Sequence, residues 1–481
     1  MNFRPLSSLY SFRLPAALTY MLQSSEYQAK DYLRWLARTR DFSRVQHRRH
    51  LERTSKARLI EAFLYLGMGL ELLIGIALII YGIITPGASW SIEIGAAVAI
   101  AYPFVWAYLV VIPLELGRSL FVEPNQSRAV SAAEEIFAKH SGTIIAVAGS
   151  YGKTSMKELL KTVLGSKKVV AATSANHNVA IEHAKLAGTL SGKEDILIIE
   201  YGEGAPGDVA AFAQNTHPDM AVITGLAPAH LNKYPSLEAA ARDIMSLSGY
   251  LHDKGVFVNG DSEALKPYIK PAYTLYGHSG VGEWKVSQVR VSIQGISFKL
   301  SDGEKELNLS SKLLGRHQIG PLSLSAILGV KFGLKASDIE SAIANTEPYE
   351  HRMQPYELDG AWIIDDTYNG NIDGIRAGTE LLGELPAKRK IYVTPGLVDQ
   401  GKETKAVHLQ AGKLIAAAKP DIVVLMQNSV SGIISQGLRD AGFKGELKLI
   451  DDPLDFYNHL DRLVAKGDLV LMQNDWTDNY A

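Results

Sequence analysis

The chain has 481 residues, 49 basic and 51 acidic side chains for a net charge of −2, and no cysteine. Its length exceeds that of one ordinary core and implies two to four domains. The near balance of charge excludes a general nucleic-acid binder, and the lack of cysteine excludes disulfides, thiolate nucleophiles and Cys-ligated zinc, as suits a reducing compartment.

The first 58 residues form a basic arm carrying Arg34, Arg38, Arg40, Arg44, Arg48, Arg49, Arg53, Lys56 and Arg58. Two apolar runs follow, Ala62 to Ile84 and Ile94 to Leu114, separated by the uncharged turn Thr85 to Ser91. Each is long enough to cross a hydrocarbon core as a helix. A signal peptide does not fit, because the first run starts too deep in the chain and has a second behind it. A buried soluble hairpin would be expected to carry charge on some face. The expectation is a two-pass cell-membrane protein spanning within 59–121, with the N-terminus and everything after the second span in the cytoplasm, as the basic arm dictates. Glu71 interrupts the first span at a cost of roughly 2.5–3.5 kcal/mol if central. It reads either as a protonated or helix-paired carboxyl or as a transport or substrate group. Gly95, Ala97, Ala99 and Ala101 offer small faces for close helix packing.

Beyond the spans, the apolar run Thr143 to Ala148 leads directly into Gly149-Ser150-Tyr151-Gly152-Lys153-Thr154-Ser155 and then the helical Met156 to Leu160. Glycines let backbone N–H groups approach phosphate oxygens, Lys153 supplies a point charge and Thr154 offers a hydroxyl to Mg²⁺. The loop is a short variant, with Val147 where a further glycine is usual. In this strand-to-helix setting the segment implies a nucleoside triphosphate site.

From residue 143 onward, short β-branched runs alternate with helical stretches: 195–200, 220–224 and 255–259, then an antiparallel excursion over 284–310. A second series follows at 361–365, 390–394, 421–425 and 468–472, with a helix over 403–418 among them. This predicts an α/β fold. A P-loop central domain with a mostly parallel sheet would occupy 122–348, and a smaller Rossmann-like domain 349–481, with ligands in the crevice outside the strand ends. Glu200, at the end of an apolar strand, is placed to ligate a hard cation, and His230 follows another strand.

Taken together, these segments resemble the Mur ligase family of ATP-dependent amide-bond-forming enzymes. The short loop 149–155, Asn176-His177-Asn178, Glu200 with Gly202, and Ala229-His230-Leu231 occur in that family's order. Asn259-Gly260-Asp261, Gly315-Arg316-His317 and His351-Arg352 continue it. Asp366-Thr367-Tyr368-Asn369-Gly370-Asn371 resembles the signature of the branch that adds D-alanyl-D-alanine to the cell-wall precursor, as do Asp399-Gln400-Gly401 and His408.

The resemblance implies that Gly149 to Ser155 hold ATP, with Lys153 and Thr154 on the phosphates and one Mg²⁺, Thr154, Glu200 and His230 serving as metal ligands. Asn178 would sit beside the phosphates, Arg352 would reach the γ-phosphate, and Asp366 would contact the ribose. Lys153, Glu200, His230 and Arg352 would form the catalytic set. Tyr368 and Asn369 either line the nucleotide pocket or belong to a helix-start turn, since Asp366, Thr367 and Asn369 are good capping residues. The implied reaction converts a carboxylate to an acyl phosphate, which an amine attacks. The carboxylate would belong to a cell-wall precursor and the amine to an amino acid or dipeptide such as D-Ala-D-Ala, with partner cell-wall enzymes in play.

Three departures bear on this expectation. The family's metal-binding lysine should fall near 242–245, where Asp243 is the candidate substitute; its adenine-contacting asparagine is absent from His317-Gln318-Ile319-Gly320-Pro321; and residues 1–121 leave no room for its UDP-binding domain. Two alternatives therefore stand beside the cell-wall ligase: a ligase for a different carboxylate, and a nucleotide-dependent membrane scaffold of a cell-wall complex.

Overall fold

The computed structural model describes residues 8–39, 41–42, 45, 51–174, 178–227, 234–368, 370–398 and 400–474. Two compact units are present, one up to Ser127 and one from Arg128 onward.

In the first unit, part of the basic arm is folded. Leu14, Leu18, Met21 and Leu22 recur at helical spacing on Leu14–Ser24, and Tyr32, Trp35 and Leu36 on Ala29–Arg38; all are buried. These stripes meet Ile60, Leu64, Met68, Ala107 and Val110 in one core. On Ala29–Arg38 the basic residues Lys30, Arg34 and Arg38 mask the periodicity in the sequence, because long cationic side chains can surround an apolar stripe without entering it. Tyr32 reinforces the packing by donating a 2.7 Å hydrogen bond to the Ala107 carbonyl.

The two apolar runs form the helices Ser55–Ile84 and Trp90–Leu109, the first capped by Thr54, whose side chain accepts from the Ala57 N–H. The second is followed by Val111–Gly117, a π-helical turn at Arg118–Val122 and Glu123–Ala138. Both apolar helices are long and apolar enough to cross a membrane. They approach closely at small residues: a Cβ on Gly75 would lie 2.8 Å from the Gly95 carbonyl and 2.9 Å from Ala99 Cβ. The Glu71 carboxylate accepts a 2.7 Å hydrogen bond from the Trp106 indole, which makes it a helix-paired group. Leu66, Leu73 and Ile83 on the outer faces are 75%, 65% and 69% exposed, an outward apolar surface that a soluble core helix would bury.

In the second unit, ten described strands form one sheet in the order β10-β9-β8-β7-β6-β5-β4-β1-β3-β2. Its parallel half comprises β1 Thr143–Ala148, β2 Val170–Ala172, β3 Ile196–Glu200, β4 Met220–Ile223, β5 Val256–Asn259 and β6 Thr274–Gly277. The strands β7 Gly280–Val281, β8 Trp284–Ser292, β9 Gly295–Ser301 and β10 Glu306–Ser311 extend it antiparallel. Strand alternation divides the core: Ile144, Ala146 and Ala148 face one layer, Ile145 and Val147 the other. The helix Lys153–Leu164 lies on the second layer through Met156, Leu160 and Leu164, which fixes the loop at its start.

A six-stranded sheet follows in the order β11-β12-β16-β13-β14-β15. Only the β11 Gln354–Leu358 edge is antiparallel, to β12 Ala361–Asp366. The strands β13 Arg389–Thr394, β14 Ile422–Met426, β15 Glu446–Ile450 and β16 Asp468–Gln473 run parallel to their neighbours, with apolar layers on both faces. This is the α/β arrangement the alternation of runs predicts.

Candidate nucleotide and metal site

The register of β1 sets Val147 opposite Glu200 on β3 and Ala148 opposite Ile223 on β4, so the loop 149–155 leaves the sheet between those two strand ends. Gly149 has φ +143°, and a Cβ there would meet Thr224 Oγ1 at 2.4 Å. Gly152, at φ +75°, precedes the first helical residue, Lys153. Both positions therefore require glycine. The Ser150 N–H donates to the Gly225 carbonyl at 2.8 Å, and Thr224 Oγ1 lies within hydrogen-bonding reach of the carbonyls of Ala148 and Tyr151.

Lys153 and Thr154 open the helix toward the sheet edge. Thr154 Oγ1 donates to Glu200 Oε1 at 3.0 Å, and Asn178 Nδ2 reaches the same oxygen at 3.4 Å. The Asn178 carbonyl also accepts from the Gly202 N–H, so Asn178 is fixed at the end of β3. Lys153 Nζ donates to the Gly149 carbonyl at 2.6 Å and to Glu203 Oε2 at 2.6 Å. Glu200 is 1% exposed, and its Oε2 has no hydrogen bond, facing instead Lys157 Nζ at 3.4 Å. His183 Nε2 donates to the Glu200 carbonyl at 2.9 Å, and burial pushes this imidazole down to about 4.

The expected residues thus converge: Lys153, Thr154, Asn178 and Glu200 share one sheet edge. His230, Asn369, Asp399, Asn176 and His177 lie outside the described residues. Among the described residues, no three His, Cys, Asp or Glu groups stand together as a ready cation cage. The buried Glu200 Oε2 and the Thr154 hydroxyl beside Oε1 nevertheless suit a hard cation. Asp243 is engaged elsewhere, with Oδ1 accepting from the Gly207 N–H at 2.9 Å and Oδ2 from the Tyr234 hydroxyl at 2.7 Å.

On the second sheet, Asp366 ends β12. It accepts from the Met353 N–H at 3.1 Å and from Gln473 Nε2 at 2.7 Å, and burial pushes its carboxyl up to about 7. The Arg352 guanidinium stacks 4.4 Å from the Tyr368 ring centroid, and the Tyr368 N–H donates to the His351 carbonyl. The following helix, Ile372–Glu384, is capped by Asn371, whose Oδ1 accepts from the N–H groups of Asp373 and Gly374 at 2.9 Å. Asp366 and Thr367 are therefore not its caps. His408 is a scaffold group: Nδ1 donates to the Thr404 carbonyl, leaving Nε2 to accept from the Leu397 N–H at 3.0 Å.

The Tyr151 hydroxyl, on the first sheet's loop, faces both Ser262 and Asp373 and so stands at the boundary of the two sheets. A bidentate pair of Arg316 with Glu384 spans the same boundary at 2.7 and 3.1 Å. Enclosure of the half-buried His317 ring lowers it to about 4, and its Nε2 lies 2.9 Å from Gln318 Nε2.

Sequence reasoning missed Lys157, Glu203 and Asp373. Lys157 has the four-residue spacing from Lys153 that puts both on one helix face, and Glu203 follows the Glu200 strand end by three residues; either spacing could have flagged them.

Comparison with known proteins agrees with this geometry. The Mur ligase middle domain matches residues 147–328, and the Mur ligase glutamate ligase domain residues 351–473. The UDP-N-acetylmuramoyl-tripeptide–D-alanyl-D-alanine ligase of Escherichia coli (strain K12) is 26% identical over 288 residues, which is 58% of this chain and 64% of the relative. The Bacillus subtilis (strain 168) ligase of that name is 23% identical over 372 residues, 77% of this chain and 81% of the relative. Among solved structures, MurF from Acinetobacter baumannii superposes with a TM-score of 0.64 at 17% identity, covering 73% of this chain and 77% of that one. MurF ligase from Thermotoga maritima in complex with ADP gives 0.63 at 22%, covering 73% and 80%. By both matched domains, their order and the fold they share with these structures, the chain belongs to the Mur ligase family.

Proposed function

We propose that this chain is a membrane-attached, ATP-dependent ligase that forms an amide bond between a peptidoglycan-precursor carboxylate and an amine such as D-alanyl-D-alanine. The observation that carries the reading is the convergence of Lys153, Thr154 and Glu200 at one strand-loop-helix junction within a Mur ligase fold. A carboxylate oxygen attacks the γ-phosphorus of ATP and ADP departs; the amine then attacks the acyl carbon, and phosphate leaves as the amide forms. The loop N–H groups and Lys153 hold and orient the phosphates, while Arg352, on the second domain, carries a further cation toward them. Thr154, Glu200 and His230 would hold Mg²⁺, which supplies charge neutralisation to the transferring phosphoryl group. Asn178, next to Glu200, would sit beside the phosphates, and Asp366 would contact the ribose. Closure of the domains would exclude water from the acyl phosphate.

The outward apolar faces of Ser55–Ile84 and Trp90–Leu109 support a hairpin set in the bilayer, with the basic arm and both soluble domains on the cytoplasmic side. A hairpin set in the bilayer ahead of the middle domain would let the precursor be presented at the membrane surface.

The test is phosphate release by detergent-solubilised protein. Release should require ATP, a muramoyl-peptide carboxylate and D-alanyl-D-alanine together, and Lys153→Ala should abolish it. Release with a different carboxylate and amine would shift the substrate, and amine-independent or Lys153-independent release would overturn the ligase. Protease cleavage of residues 143–481 from outside intact cells would overturn the orientation.

A further inference from the structure

Glu203 has no part in the reaction just described, yet it is the most closely paired carboxylate near the loop. Its side chain is 5% exposed and its Oε2 lies 2.6 Å from Lys153 Nζ, itself 10% exposed. The segment that delivers it is fastened at several points. The Ala205 N–H donates to Asp208 Oδ2 at 2.7 Å, the Gly207 N–H donates to Asp243 Oδ1 at 2.9 Å, and the Tyr234 hydroxyl lies 3.1 Å from the Ala205 carbonyl and 2.7 Å from Asp243 Oδ2. Asp243 therefore anchors the turn that aims Glu203 at the loop lysine.

An ammonium this buried requires a counter-charge, because an unpaired cation in such a place is strongly disfavoured. A carboxylate oxygen and a phosphate oxygen accept from an ammonium at similar distances and with similar charge. Both cannot sit against Lys153 without like-charge repulsion. The Gly149 carbonyl and the Glu203 carboxylate take two of the three N–H groups, and Glu203 is the one carboxylate paired with this ammonium among the described residues.

We propose that Glu203 is a positioning residue that stands in for the terminal phosphate on Lys153 when the site is empty, so that a nucleoside triphosphate enters by exchanging its own oxygen for the Glu203 carboxylate. This rests on the nucleotide-binding reading above. Glu203 keeps the empty loop in its binding shape and sets the affinity for the triphosphate below what the loop alone would give. A diphosphate, lacking the terminal group, leaves the pair largely in place, so Glu203 discriminates between the nucleotide that enters and the one that leaves.

Calorimetric binding of Mg-ATP and Mg-ADP to the detergent-solubilised full chain tests this, together with the melting temperature of the nucleotide-free protein. Glu203→Gln should bind ATP about tenfold more tightly, shift ADP affinity less, and melt lower without nucleotide. Lower melting with unchanged or weaker ATP binding would make the pair purely structural and overturn the proposal. Should Glu203→Gln fail to fold, Glu203→Asp, which keeps the charge but withdraws it by one methylene, must show the same tightening, and its absence there overturns the proposal equally. Wild-type protein that binds no ATP at all would remove the nucleotide-binding reading as well, whereas wild-type binding that both variants match would remove only the role of Glu203.

Discussion

Lys157 Nζ lies 3.4 Å from Glu200 Oε2 and 3.2 Å from Glu158 Oε1, with the Lys157 side chain wholly excluded from solvent. A buried lysine one helical turn past the loop lysine gives Glu200 a fixed positive neighbour on the oxygen that Thr154 does not use. The strand-end carboxylate is thereby held pointing in one direction.

Replacing Lys157 with methionine keeps the volume but leaves Glu200, among the described residues, with the neutral side-chain donors of Thr154 and Asn178. Stability should fall by about 3–5 kcal/mol, the usual cost of removing one partner from a buried pair. Lys157→Met/Glu200→Gln should recover part of that loss, since the charge then left without its lysine is the partly exposed Glu158 and not a fully buried one. Chemical denaturation of the solubilised protein measures both. A double variant no more stable than Lys157→Met would show that the pair does not account for the lysine's burial.

His183 predicts an acid sensitivity of known sign. Its ring packs 5.0 Å from Phe212 and 5.6 Å from Tyr201, and burial there pushes it from its ordinary 6.5 down to about 4. Between those values the unfolded chain binds the proton and the folded protein does not, so stability is lost as pH falls from 6.5 toward 4. His317, also lowered to about 4 by burial, adds to the same slope. His183→Gln retains an amide N–H for the Glu200 carbonyl and removes the titration. Its unfolding midpoint should therefore vary less with pH over that window than the wild type's. Equal pH dependence in the two proteins would exclude His183 as a source.

How far the sequence discloses this arrangement depends on what kind of contact is involved. Strands β1 and β3 are legible because each is an unbroken apolar run ending at a glycine or a carboxylate, and the burial of both faces explains the lack of alternation. The strand β2 has only three residues and no pattern to detect. The helix Ala29–Arg38 is hidden by its basic residues, although its apolar stripe is real. At the site, Lys153, Thr154 and Glu200 are announced by local spacing. Lys157 and Glu203 are not, because a helix lysine and a loop glutamate ordinarily face water, and only the packing of the helix on β3 brings them inward. Glu71 illustrates the same limit: the sequence marks it as costly, but its partner Trp106 is known only once the two helices are set side by side.

Tyr151 shows how the loop communicates with the second domain. Its ring fills the space over Gly225, where a Cβ would come within 2.2 Å of Tyr151 Cζ, and its hydroxyl reaches Asp373 in the first turn of Ile372–Glu384. Burial raises both groups, the phenol above its ordinary value and the Asp373 carboxyl above its ordinary value; the nearby Arg376 and the facing Tyr151 hydroxyl oppose the rise at Asp373. Tyr151→Phe removes the hydroxyl that faces Asp373, a polar contact worth about 0.5–1.5 kcal/mol to the docking of the two domains. The backbone amides of residues 372–376 should then exchange with deuterium faster, while those of β1 and β3 keep their protection, because the sheet core does not depend on this contact. Gly225→Ala should produce the same local loss by displacing the ring while leaving the hydroxyl in the sequence. Unchanged exchange at 372–376 in both variants would show that the domains are held by the Arg316–Glu384 pair and apolar contacts alone, and that the loop tyrosine does not connect them.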